Sequence, residues 1–346
     1  MPAHFGFPLE AILIFICVIA VSVYLDLFAH RKGTDISLFD ATCWSLFWLV
    51  LALAFYVYLL VHFNSEWANL YLAGYALEKS LSVDNLIVFM AIFSSFGIKS
   101  GLQHRILYYG IIGALVFRAI FVTIGAGLFM ASPWVGFLFA AFVIWGGIKM
   151  LQHSGRDNEE IEDYANHWSV RFVGKLIPIY TKLHLNHFFV RPHEIAEGSA
   201  TDRVTRQGLL YATPAFLCLM VIETSDVAFA FDSVPAVIAV TQEPLLVYAA
   251  MIFAILGLRS LYFVLAALAR YMVHLEKAVI CLMFFIGAKM ALQSWNHAVF
   301  DTGIHIKAGW SLSVILGMLA AGVIASLLFP AKKAAEPTQP NSDAAS

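Results

Sequence analysis

Glu78-Lys-Ser-Leu-Ser-Val-Asp84-Asn85-Leu-Ile-Val and Asp226-Val-Ala-Phe-Ala-Phe-Asp232-Ser233-Val-Pro235-Ala-Val are two versions of one pattern: an acid, five residues, a second acid and a small polar residue. Both sit in long apolar surroundings. A carboxylate at the middle of a bilayer costs about 2.5–3.5 kcal/mol on insertion scales, so acids in such segments mark function by default. The same costly pattern occurring twice points to a transporter-like site shared between two halves of the chain.

The composition leaves one class of protein. Of 346 residues, 61% are hydrophobic and 13% are charged, with a mean hydropathy of +0.79. A soluble fold of this size has no means of burying that much apolar surface, so the chain reads as an all-α polytopic membrane protein. A net charge of −2 points to no nucleic-acid partner. Cys17, Cys43, Cys218 and Cys281 are scattered through apolar segments without a C-x-x-C pair and read as free thiols.

Nine apolar segments are long enough to span, at 9–29, 41–62, 70–96, 105–129, 134–152, 209–240, 245–269, 277–294 and 308–329. The first has no basic leader or cleavage site before it and reads as an uncleaved helix. Basic residues alternate between the connections. Arg31, Lys32, Lys99, Arg105, the loop 153–208, Arg270, Lys277, Lys332 and Lys333 fall on one side, and only Lys307 on the other. The positive-inside rule then puts the N-terminus outside and the C-terminus in the cytoplasm. The resulting organisation is two N-terminal spans (1–69), a three-span repeat (70–152), a cytoplasmic loop (153–208), a second three-span repeat (209–294), a last span (295–330) and a disordered cytoplasmic tail (331–346). In the loop, His167, His184, His187 and His193 lack metal-ligand spacing and read as ordinary loop residues.

The repeat extends past the acids. Arg118 and Arg259 follow them in matching contexts, and Gly147-Ile-Lys149-Met150 matches Gly287-Ala-Lys289-Met290. Units of three spans insert with opposite orientation, which makes a 3+3 inverted-repeat core with a site between the halves. On this reading Asp84 and Asp232 lie near the midplane, and Glu78 and Asp226 are displaced to opposite sides. Six residues turn a helix through about 600°, so Glu78 and Asp84 share no face of an unbroken helix. Pro235 cannot donate to the Phe231 carbonyl, which favours an interruption beside Asp232.

The candidate ligands Glu78, Asp84, Asn85, Glu223, Asp226, Asp232 and Ser233, with Thr224 and Ser225 beside them, all offer oxygen. Hard oxygen sets favour Mg²⁺, Ca²⁺ or Mn²⁺. Five acids against Arg118 and Arg259 leave an excess that a divalent cation neutralises and an oxyanion does not. The competing reading is structural: the acids pair with Arg118, Arg259, Lys79, Lys149 and Lys289 and lock the bundle. Arg118 and Arg259 are expected in that supporting role, and Lys149 and Lys289 are expected to snorkel from the ends of their spans.

At these residues the chain resembles the TerC family of bacterial integral membrane proteins. The carrying segments are GYALEKSLSVDNLIVFMAIF at 74–93, YATPAFLCLMVIETSDVAFAFDSVPAVIAVTQEP at 211–244, FAILGLRSLYFVLAAL at 253–268 and HLEKAVICLMFF at 274–285. The likeness runs from about residue 6 to 330 and is weakest in the loop 182–207. It implies a bacterial inner-membrane protein, not an enzyme, that exports manganese as its substrate, holds no permanent cofactor and is linked to tellurite resistance. It implies partners beyond the divalent ion and the bilayer only among other tellurite-resistance or secretion-associated membrane proteins. Some members carry the label of candidate membrane-bound redox modulators. The rival readings are therefore a scaffold subunit of a resistance complex and a redox module.

Overall fold

A computed structural model describes residues 37–153, 164–181, 187–192, 208–241, 243–268, 273–299 and 307–328, with scattered positions between 13 and 25. The first expected span (9–29) and the tail therefore lie largely or wholly outside the described residues, as does much of the loop 153–208. Each of the other expected spans coincides with a helix or a helix pair.

The first described helix, α1 (Leu38–His62), shows why these segments are lipid-facing. Ser37 caps it by accepting from the Asp40 N–H at 3.1 Å. Ala41, Trp48, Ala52 and Leu59 form its buried stripe, while Leu46, Val50, Val57 and Val61 are exposed on the rest. A helix apolar on every side, with part of that surface uncovered, belongs in hydrocarbon.

The next helix, α2 (Ser65–Ser95), starts at Asn64, whose side chain accepts from the Trp67 N–H at 2.7 Å. It ends at Gly97, whose φ of 63° lets the Ile98 N–H reach back to the Phe93 carbonyl. Then follow α3 (Ser100–Ala131), α4 (Pro133–His153), the short α5 (Trp168–Leu176), α6 (Pro214–Thr241), α7 (Pro244–Ile255), α8 (Leu258–Leu268), α9 (Val273–Val299) and α10 (Ala308–Leu328). Five of these helices (α1, α3, α4, α6 and α10) are long and apolar enough to cross a membrane, and the α7–α8 pair makes a sixth. At 31 and 27 residues, α2 and α9 also have spanning length, and both carry charges along it.

The structure departs from the sequence reading in three places. Span six is helical straight through Pro235. The missing N–H leaves the Phe231 carbonyl without its usual helix donor, and the chain absorbs that without breaking. The break lies instead in span seven, where α7 and α8 bend by 50° at Leu256 and Gly257, the latter at φ 78°. Lys79 donates to the Ala254 carbonyl at 3.1 Å, satisfying the exposed end of α7; it serves as a cap for that break. Finally, the loop 153–208 contains α5 and one strand of a small antiparallel ladder, β1 (Phe189–Val190) with β2 (Tyr211–Ala212). These pieces are too short for their periodicity to be read.

The helices pack so that α4 lies along α9, α6 along α3, and α2 against α6, α7 and α10. The α4–α9 contact is reciprocal. A Cβ on Gly147 would meet Met283 and Phe284, and a Cβ on Gly287 would meet Ile144. Glycine at both positions lets the two backbones approach closely.

Gly257 has no alternative residue. An alanine there faces a left-handed backbone, which costs about 1–2 kcal/mol, and its Cβ collides with the Trp48 ring. Thermal unfolding of the detergent-solubilised protein is expected to show Gly257→Ala as clearly destabilised, and Trp48→Leu in the same chain to recover part of the loss. An unchanged midpoint in Gly257→Ala contradicts this account of the break.

Candidate functional site: a buried acid–arginine layer

Among the described residues the apolar core has two large parts and a small one at Tyr180, Val190 and Tyr211. One large part includes Tyr71, Leu77 and Leu81 of α2, Val122 of α3 and Ala230 to Val240 of α6. The other includes Leu86 to Phe93 of α2, Leu102 to Ile111 of α3 and Leu217 to Ile222 of α6. The gap between them holds Asp84 on α2, Arg118 on α3, and Glu223 and Asp226 on α6, while Glu78 lies between Leu77 and Leu81 at the end of the first block on α2. A polar layer thus crosses the bundle between two hydrophobic blocks.

Arg118 is its centre. One guanidinium nitrogen pairs with Glu78 Oε1, and Nη2 lies 3.2 Å from Asp226 Oδ1. Glu78, Arg118 and Asp226 are 0%, 2% and 4% exposed, so all three are dependent on one another. Removing one partner of such a buried group strands the other charges, at a cost of about 3–5 kcal/mol. The Arg118 guanidinium thus stands between an acid of α2 and an acid of α6. Arg259 is equally buried, with its guanidinium over the Tyr108 ring at 5.7 Å.

Glu223 lies one helical turn before Asp226 on the same face of α6, near enough for the two charges to repel. It reaches α3 at Gly113, where the space of a Cβ is taken by the Glu223 carboxylate. Gly110, Gly113 and Gly125 admit Ile222, Glu223 and Ile238 in turn, so α3 and α6 run parallel along a glycine-lined seam. Gly113 carries no polar atom in its side chain, and for that reason sequence reasoning passed it over.

Asp84 points elsewhere. Continuity of α2 puts it on another face from Glu78, within Coulombic range of Glu276 in the first turn of α9. Glu276 was missed because it borders the apolar segment rather than interrupting it. Ser233 is 2% exposed, and Asn85 is partly buried. Asp232 is helical, and its side chain lies outside the described residues.

Counted along the helices, Glu78 and Asp226 lie nearer the middle than Asp84 and Asp232. The midpoint of α2 (65–95) is Ser80, so Glu78 is two residues from it and Asp84 four. The midpoint of α6 (214–241) falls between Val227 and Ala228, so Asp226 is nearer than Asp232. The reason is that α2 begins at Ser65, in a polar stretch that hydropathy assigns to the preceding loop. Lys289 also departs from expectation: it is 4% exposed, where snorkelling was expected, whereas Lys149 is exposed and stands over Trp145 at 5.7 Å. His167 caps α5 by accepting from the Ser169 N–H at 3.4 Å.

Chemically the layer is rich in oxygen. Glu78 Oε2, Asp84 Oδ2, Glu223 Oε2 and Asp226 Oδ2 are buried without a hydrogen-bond donor, as is the Ser233 hydroxyl. Among the described residues, however, no three acidic, histidine or cysteine side chains close around one point, because Arg118 stands between Glu78 and Asp226.

A helical membrane bundle with carboxylates buried around one arginine is an integral membrane protein of the polytopic class. The chain belongs to the integral membrane protein TerC family, which it matches over residues 63–334. It is 51% identical over 340 residues to the tellurium resistance protein TerC of Serratia marcescens, covering 96% of this chain and 98% of that one. It is 49% identical over the same length to the tellurium resistance protein TerC of an Alcaligenes species, again covering 96% of this chain and 98% of the relative. At 36% identity over 316 residues it is similar to Alx of Escherichia coli K12, named as a candidate membrane-bound redox modulator, with 88% of this chain and 90% of the relative covered. No solved structure matches the chain.

Two substitutions test this layer. Arg118→Met is expected to lower unfolding stability by about 3–5 kcal/mol, and adding Glu78→Gln with Asp226→Asn to return most of it. Gly113→Ala is expected to cost about 1–3 kcal/mol by overpacking, recovered in Gly113→Ala/Glu223→Ala. Differential scanning fluorimetry in detergent reads both; additive losses in either combination contradict the assigned contacts.

Proposed function

We propose that the protein is a divalent-cation transporter of the bacterial inner membrane, with Mn²⁺ as its substrate and export as its direction. The observation that carries this reading is the wealth of buried carboxylate: Glu78 and Asp226 share the Arg118 guanidinium, Glu223 lies one turn from Asp226, and each of the three has an oxygen that lacks a donor. Buried charge without compensation is expensive, and a divalent cation supplies the compensation with the hard oxygen chemistry it prefers.

Arg118 then acts as a tethered counter-charge. It holds Glu78 and Asp226 when no substrate is bound and yields to the ion as it arrives. Asp84 with Glu276, and the buried Ser233, extend the path beyond these three acids. Export against a negative interior requires coupling, and protonation of the carboxylates provides it, because a neutral acid binds a cation weakly. The chain is not an enzyme on this reading and holds no resident cofactor.

We further infer nine spans, with α2 and α9 crossing the bilayer shielded by their neighbours, the N-terminus outside and the C-terminus in the cytoplasm. Residues 70–152 and 209–294 form the inverted repeat. The paired glycines of α4 and α9 support it, since a pseudo-two-fold axis requires Gly147 and Gly287 to make equivalent contacts. Tellurium resistance, the name of the two closer relatives cited, follows indirectly, because an acid-lined layer repels an oxyanion.

One observation favours a second reading. An arginine set squarely between Glu78 and Asp226 is also what a purely structural clamp looks like. The two separate in proteoliposomes that are loaded with a Mn²⁺-sensitive dye and carry an imposed proton gradient. Wild-type flux is expected, with Asp84→Asn and Glu223→Gln each reducing it at least tenfold. The charge-neutral triple variant Arg118→Met/Glu78→Gln/Asp226→Asn is expected to fold and to carry none. Wild-type flux from that triple variant overturns the transport site in favour of the clamp.

A further inference from the structure

The helix α5 has three sides with three chemistries. Ser169, Val170 and Val173 are 2%, 8% and 5% exposed and pack toward α6 and the turn at Tyr164–Asn166. Trp168, Phe172 and Leu176, spaced four apart, are 63%, 56% and 64% exposed. Arg171 and Lys175 are exposed beside that stripe, on the edge away from the buried face. Around the helix the order is therefore buried, apolar, basic.

The exposed apolar face continues beyond the helix. Gly208 approaches Pro178 so closely that a Cβ would overlap its ring, which brings Leu209 beside the end of α5. Leu209 is 92% exposed. Further along, Phe188 stands edge-on to Tyr109 at 5.2 Å, and Tyr109 belongs to the exposed apolar flank of α3 with Ile112 and Val116. The segment that follows α5 thus also touches an exposed apolar flank of the bundle. Two large aromatics and leucines next to basic groups suit the boundary between headgroups and acyl chains.

The attachment to the bundle is firm. The Ala212 N–H donates to the Pro178 carbonyl and the Tyr180 N–H to the Ala212 carbonyl, both at 2.9 Å. The Thr213 N–H donates to the Phe188 carbonyl at 3.0 Å. These bonds tie the end of α5 to the residues immediately preceding Pro214, where α6 begins.

We propose that α5 is an in-plane membrane anchor. It lies in the headgroup region on the side where α6 starts, with Trp168, Phe172, Leu176 and Leu209 among the acyl chains and Arg171 and Lys175 toward the phosphates of anionic lipid. It thereby fixes the depth of α6, the helix that carries Glu223 and Asp226, at its entry to the bilayer. This assignment does not depend on the transported species.

The test uses full-length protein in phosphatidylethanolamine/phosphatidylglycerol vesicles, with the four native cysteines replaced. Single spin labels are placed at Phe172, at Leu209 and, for comparison, at the exposed Arg191. Power saturation with oxygen and with a water-soluble nickel chelate reads the surroundings of each. The expected result is an oxygen-to-nickel accessibility ratio several-fold higher at Phe172 and Leu209 than at Arg191. Equal ratios at all three sites place the stripe in water and overturn the proposal. Low access to both reagents at Phe172 and Leu209 means that protein covers the stripe, which overturns it too. Two independent label sites keep the outcome readable if one label disturbs the fold.

Discussion

One buried arginine organises the middle of this bundle. Arg118 comes from α3, and the acids it satisfies come from α2 and α6, so three helices meet at a charge that none of them is able to bury alone. Desolvation makes each partner costly in isolation, and mutual pairing makes their positions interdependent. The division of the apolar core follows from this. Hydrophobic side chains fill the bundle on both sides of Arg118 and Asp226, and Glu78 meets the arginine from the end of one block.

The seam between α3 and α6 converts that electrostatic need into geometry. Glycine at 110, 113 and 125 brings the helices together and leaves a gap into which Glu223 fits. A side chain at Gly113 takes that place. The place of Glu223 is therefore set by the absence of an atom on the opposing helix, a form of specification with no charge or polarity of its own. On the other side of the bundle, the break between α7 and α8 places the Ala254 carbonyl within reach of Lys79, the residue next to Glu78. Arg118 and Lys79 thus both have structural duties.

Membership of the TerC family unites relatives named for tellurium resistance with others named for redox modulation. The names differ although the sequences are similar over most of their length. The cysteines offer the redox reading no shared focus: Cys43 and Cys281 are exposed on α1 and α9, Cys17 is exposed before α1, and Cys218 is buried in α6.

Much of the architecture was legible in the chain itself. Apolar runs located the long helices, because hydrocarbon demands about twenty consecutive apolar residues and nothing else in the sequence imitates that. The duplicated acids stood out for the same reason, as costly exceptions in those runs. Where signals were local and weak, the sequence misled or was silent. Pro235 suggested a break that the helix tolerates, while the actual break rests on the left-handed backbone of Gly257 against Trp48. Asp84 looked central until the capped start of α2 moved that helix's midpoint toward Glu78. Which acid faces Arg118, which faces Gly113, and which way Lys289 turns are matters of helix rotation and register. Those depend on side chains far apart in sequence meeting in one layer, so composition and spacing determined that a buried charged site exists, and only the packed bundle decided how its charges are paired.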